Sequence, residues 1–281
     1  MEWSPGDRGN IEDMRGRSGG RAVPLGIGGV VIVALLSWAT GTNLFSLLGS
    51  DGSAPSPTAG APLQTSPQEE RAVDFVDAVA NDVQGVWAQT LGGRYQRTRV
   101  VLFRDAIESA CGSADAATGP FYCPSDGKVY LDVAFFDDLT RRFGAPGDFA
   151  KAYVIAHEFG HHVQHLLGID AGARRSPATG ANSASVALEL QADCLAGAWG
   201  HAASQGGRFK AGQVELEPGD AEQALRAAAA IGDDRLQKMT TGHVMPDRFT
   251  HGTSAQRVES FKRGMDSGDL QACGASPRST R

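Results

Sequence analysis

The sequence predicts an α+β domain set behind an N-terminal apolar segment. Three observations carry this. Helix-period segments recur at both ends of the chain from residue 69 on. A strand-like run and a hairpin pattern fall between them. No residue from Ala22 to Ser50 carries a charge. The chain has 281 residues, 41% hydrophobic and 21% charged, the range of a globular protein. Its net charge is −6 and it has no basic stripe, so nucleic acid is excluded as a partner.

Residues 1–21 are polar and hold Arg8, Arg15, Arg17 and Arg21. Residues 22–41 follow without a charge, and about 20 apolar residues span a bilayer. Arginines lie before this run, and the next one after it is Arg71. The positive-inside rule then predicts a cytoplasmic tail (1–21), a single-pass transmembrane anchor (22–41) and an extracytoplasmic remainder. A cleaved signal peptide is the rival, but no small-x-small site or lipobox cysteine follows closely. Residues 42–68 end in a Ser-, Pro- and Ala-rich stretch with nothing to bury, which is a flexible linker. The folded domain is expected at 69–281, long enough for one sizeable core.

Within it, Val73, Val76, Val79, Val83, Val86 and Trp87 recur mostly at helical spacing, which predicts a helix ending near Thr90, before Gly92-Gly93. Arg99–Phe103 reads as a buried strand. Residues 119–123 and 128–132 flank the turn Pro124-Ser125-Asp126-Gly127 and read as a hairpin. A short helix is expected over 134–142. Pro146-Gly147-Asp148 starts a longer one that Gly168 ends. Residues 169–182 read as a polar loop. Helices are expected over 183–204, 220–238 and 254–265.

The helix after Asp148 carries His157-Glu158-Phe159-Gly160-His161. Positions i and i+4 lie one turn apart on one helical face, so two imidazoles can point at one ion. Glu158 adjoins that face, placed to take a proton from water that the metal polarises. This is the pattern of zinc hydrolases. Gly160 costs about 1 kcal/mol of helix propensity against alanine, which predicts that another backbone element or a substrate comes close there.

A catalytic zinc needs a third protein ligand. A histidine six residues after His161 is ruled out because that residue is Leu167, and His165 lies two turns from His157. Glu189 and Asp193, one turn apart among apolar residues on the next helix, are the better pair. Glu189 is the expected ligand. Asp193 is expected to accept an N–H from a ligating imidazole. His251, just before the last helix, is a candidate donor to the oxyanion of a tetrahedral intermediate, and Arg257 a candidate partner of Asp193, Glu189 or a substrate carboxylate. His162, His201 and His243 read as structural. The four cysteines make no C-x-x-C pair and predict two disulfides, Cys111–Cys123 and Cys194–Cys273.

Together Gly119–Pro124, His157–Gln164, Glu189–Cys194, Phe249–Val258 and the Arg15-Gly16-Arg17 segment resemble the bacterial YpfJ-type neutral zinc metallopeptidase family. The resemblance implies a gluzincin-like, zincin-type domain with helices on a small antiparallel or mixed sheet. It implies Zn2+ as cofactor, His157, His161 and Glu189 as ligands, Glu158 as catalytic carboxylate and a peptide or protein as substrate. Two other readings remain open at this point: a non-catalytic, zinc-stabilised envelope binding protein, and a zinc amidase acting on peptidoglycan.

Overall fold

The computed structural model describes residues 1–16, 63–115, 118–173, 179–206 and 212–275. Met1–Arg15 and Gln64–Arg281 form one compact unit, an α+β domain. Its strands are β1 (Glu2–Trp3), β2 (Ile11–Asp13), β3 (Val100–Phe103), β4 (Ala106–Ser109), β5 (Gly112–Asp115), β6 (Phe121–Cys123), β7 (Lys128–Asp132) and β8 (Val214–Glu215). Its helices are α1 (Pro67–Leu91), α2 (Phe135–Arg141), α3 (Asp148–Leu166), α4 (Asp170–Ala173), α5 (Ala184–Ala203), α6 (Asp220–Ala230), α7 (Asp233–Thr241) and α8 (Ser254–Ser267).

The main sheet is mixed, in the order β2-β3-β7-β6. β2, β3 and β7 run parallel, and β6 closes one edge antiparallel to β7, pairing Phe121 with Tyr130. All four residues of β3 are buried, as expected of a strand covered on both faces. β4 and β5 form a separate hairpin that the sequence does not announce. Its strands are short and polar, so they lack the alternation that announces a hairpin. The Cys111–Cys123 disulfide ties this hairpin to β6, and Cys194–Cys273 ties the C-terminal segment to α5, both as expected.

α1 begins two residues before the expected start. Ser66 accepts the Glu69 N–H at 3.1 Å, and Pro67 occupies the first turn, where its missing N–H costs nothing. α1 packs on α3, α3 on α5 and α6, and α5 on α8. The last crossing is close: a Cβ on Gly264 would collide with the Cys194 carbonyl, and one on Gly197 with that of Phe261. The single helix expected over 220–238 is broken at Gly232. A Cβ there would overlap the Ser254 backbone, and Asp233 opens α7 by accepting N–H groups from Thr250, His251 and Gly252 at 2.6–2.9 Å.

The first fifteen residues correct the expected separate tail. Ile11, Glu12 and Asp13 pair in parallel with Val100, Val101 and Leu102, and Trp3 pairs with Val214. The arginines read as membrane-flanking charges have partners in the domain. Arg8 donates to Asp74 and Glu70, both at 2.7 Å, and Arg15 pairs with Asp13 and Glu70. The predicted anchor at 22–41 and most of the linker lie outside the described residues. Among the described residues no helix is long and apolar enough to cross a membrane.

Candidate metal centre

α3 presents His157 and His161 one turn apart, as the i, i+4 spacing requires. α5 crosses α3 at Gly160, where an added Cβ would lie 3.0 Å from both Cα and O of Ala192. The expected close backbone is therefore α5 itself. That crossing brings Glu189 to the two imidazoles: Oε2 lies 3.0 Å from His157 Nε2 and Oε1 lies 3.4 Å from His161 Nε2. One ligand atom from each of the three residues lies within 4.8 Å of the others.

Both Nδ1 atoms are engaged behind this triad. His157 Nδ1–H donates to Asp193 Oδ1 at 2.8 Å. Asp193 is fully buried, and Arg257 grips it by two bonds, from Nε at 2.9 Å and Nη2 at 2.8 Å. The Tyr153 hydroxyl adds a third donor at 2.5 Å. His161 Nδ1–H donates to Gln164 Oε1 at 2.9 Å. Gln164 Nε2 in turn donates to Leu188 O at 2.7 Å and to Gln191 Oε1 at 3.0 Å, and Gln191 donates to Cys273 O. With Nδ1 as the N–H on each ring, both Nε2 lone pairs are left for a metal.

The charge balance points the same way. Burial opposes ionisation of Asp193, yet Arg257 and His157 hold its pKa down to about 2. Burial likewise opposes a charged Glu189, but His161 and His157 bring its pKa well below the ordinary carboxylate value. Burial would lower the His157 pKa, and Asp193 and Glu189 instead carry it up to about 10. A buried and a part-buried carboxylate on one imidazole draw in positive charge beyond what Arg257 supplies. A divalent cation fits this donor set of two nitrogens and one carboxylate.

The three residues open on a cavity of ≈ 810 Å³ that also takes in Glu158, His251, Phe121 and Tyr122. Glu158 is 7% exposed, and burial pushes its pKa up. His251 is half exposed, and its Nδ1 lies 3.2 Å from Asp233 Oδ1. That bond raises the His251 pKa against the opposing effect of burial. Of the remaining histidines, His165 pairs with Asp170, His162 lies between Tyr122 and Gln96 O, and His201 donates to Met265 O. Nothing in the sequence assigns a role to Tyr153 or Asp233, and Gln164 is placed only by its spacing from His161. Gln164 carries a local signal, since it sits three residues after His161 on the same face. Asp233 has none, because a loop alone brings it to His251.

The Escherichia coli K12 protein YpfJ is 45% identical over 280 residues, covering 94% of each chain. Mycobacterium bovis Mb2605 and Mycobacterium tuberculosis Rv2575 are each 46% identical over 202 residues, covering 70% of this chain and 68% of theirs. No solved structure matches the chain. Residues 1–276 match the family described as "Putative neutral zinc metallopeptidase", and with that extent and those identities the chain belongs to this family.

Proposed function

We propose that the protein is a zinc-dependent endopeptidase. One observation carries the reading: His157 Nε2, His161 Nε2 and the Glu189 carboxylate converge at the cavity that holds the buried Glu158. Zinc held by these three residues supplies Lewis-acid chemistry, polarising water and the scissile carbonyl. The protein's own groups do the rest. Glu158, its proton affinity raised by burial, takes the proton of the attacking water and passes it to the leaving amine. Protonated His251, held by Asp233, donates to the carbonyl oxygen as negative charge develops there. Asp193 and Gln164 keep the two imidazoles aimed.

β6 supports an extended substrate. It ends the sheet, so among the described residues one side of its backbone has no strand partner, and Phe121 and Tyr122 line the cavity. A peptide laid along that edge gains main-chain hydrogen bonds. Phe135, Phe143, Val154 and Ile231 also line the cavity and favour a large apolar side chain. The test is Glu158→Gln. Metal content should stay at one equivalent while cleavage of a denatured protein substrate falls by about 10²–10⁴-fold. Wild-type rates in that variant would defeat the reading.

A further inference from the structure

Residues 1–15 are paired and hydrogen-bonded into the domain, and this limits how the chain can meet a membrane. Asp77 and Gln84, both on α1, are fully buried. Their hydrogen bonds come largely from the N-terminal segment. Asp77 Oδ2 accepts the Arg8 N–H at 2.9 Å, and Asp77 Oδ1 accepts Asn10 Nδ2 at 3.0 Å. Gln84 Nε2 donates to Asn10 Oδ1 at 2.8 Å, while its Oε1 accepts the Thr98 N–H that leads into β3. Asn10 is itself 8% exposed. Asn10 O then accepts the Val100 N–H at 2.8 Å, and the Met14 N–H donates to Leu102 O at 2.8 Å, one bond at each end of the β2–β3 ladder. Withdrawing the segment would strand a buried carboxylate and a buried amide and uncover one side of β3. Each is costly.

The same segment and the rest of the domain flank the uncharged run at 22–50. That run is long enough for one bilayer crossing, whereas two crossings take about 40 apolar residues. A single full crossing would put residues 1–15 and β3 on opposite faces, where they cannot share a sheet. We propose that residues 1–15 and the metal centre lie on the same side of any membrane the chain meets. The sheet pairing is incompatible with a cytoplasmic N-terminus joined to an extracytoplasmic domain.

The test uses the full chain, whose described cysteines are all disulfide-bonded. Asp7 and Lys262 are exposed, one in the N-terminal segment and one on α8. Single variants Asp7→Cys and Lys262→Cys are treated in intact cells with a membrane-impermeant maleimide, before and after permeabilisation. The expected result is that both positions react at the same stage. Reaction of one before permeabilisation and of the other only after it overturns the proposal. Asn10→Ala in the purified full chain gives a second readout that needs no new thiol. It should lower Tm by roughly 4–8 °C, because Asp77 and Gln84 lose partners. A Tm unchanged from wild type would show a detached tail and overturn the proposal as well.

Discussion

Gly160→Ala separates the packing role of Gly160 from its helical role. In an isolated helix alanine would gain about 1 kcal/mol over glycine. Here the added methyl meets Ala192 Cα and O at 3.0 Å and Ala192 Cβ at 3.2 Å. Carbon contacts settle at about 3.5–4.0 Å, and the Ala192 Cα and O cannot rotate away. α5 must therefore retreat by about half an ångström or more. Overpacking of this kind costs about 1–3 kcal/mol, so the net effect on the metal-free domain is a loss of about 0–2 kcal/mol. The metal centre suffers more. Glu189 sits one turn before Ala192 on α5, and metal–ligand distances tolerate only about ±0.2 Å. Zinc affinity should fall about 10-fold or more, measured by chelator competition, with Tm of the chelated protein recorded alongside. A variant that binds zinc as tightly as wild type and melts higher without metal would refute the claim that this glycine sets the approach of α5.

Gln164→Ala frees the His161 ring and should weaken zinc by about 10–100-fold, with activity restored in excess metal. Arg257→Met leaves Asp193 buried without its cation and should cost about 3–5 kcal/mol in denaturant unfolding. His251 has a pKa raised by Asp233, so its contribution to stability is full below its unfolded value near 6.5 and is lost as pH rises through the higher folded value. If its protonated form assists the reaction, kcat/KM falls over that same window. Asp233→Asn should move the alkaline limb of the pH–rate profile to lower pH, and an unmoved limb would separate His251 from the reaction.

Local chemistry was legible where a short stretch settles the geometry. The 3.6-residue repeat places His157 and His161 on one face whatever the helix packs against. A small residue between them announced a close neighbour. The acids at 189 and 193 stood out because they fall one turn apart among apolar residues. Cysteine spacing named both disulfides. Each of these signals lies within a few residues of the group it places.

Contacts between distant segments were decided only in three dimensions. Asp77 and Asp82 look like the wet face of an amphipathic helix, yet both are buried, Asp77 beneath residues 8–10 and Asp82 accepting the Trp199 indole N–H at 2.8 Å. Arg8 and Arg15 read as membrane-flanking charges because an isolated arginine beside an apolar run has that meaning. Their carboxylate partners on α1 give them another. Asp233 falls within a seemingly continuous helix, and only the approach of Ser254 breaks the helix there and turns that carboxylate toward His251. Hydrogen-bond partners more than fifty residues apart leave no periodic trace in a single chain. The sequence alone determined the metal-binding pair and the helix that presents it. The packing of α5, α8 and the first strand pair, through close backbone contact and buried ion pairs, decided what holds them in place.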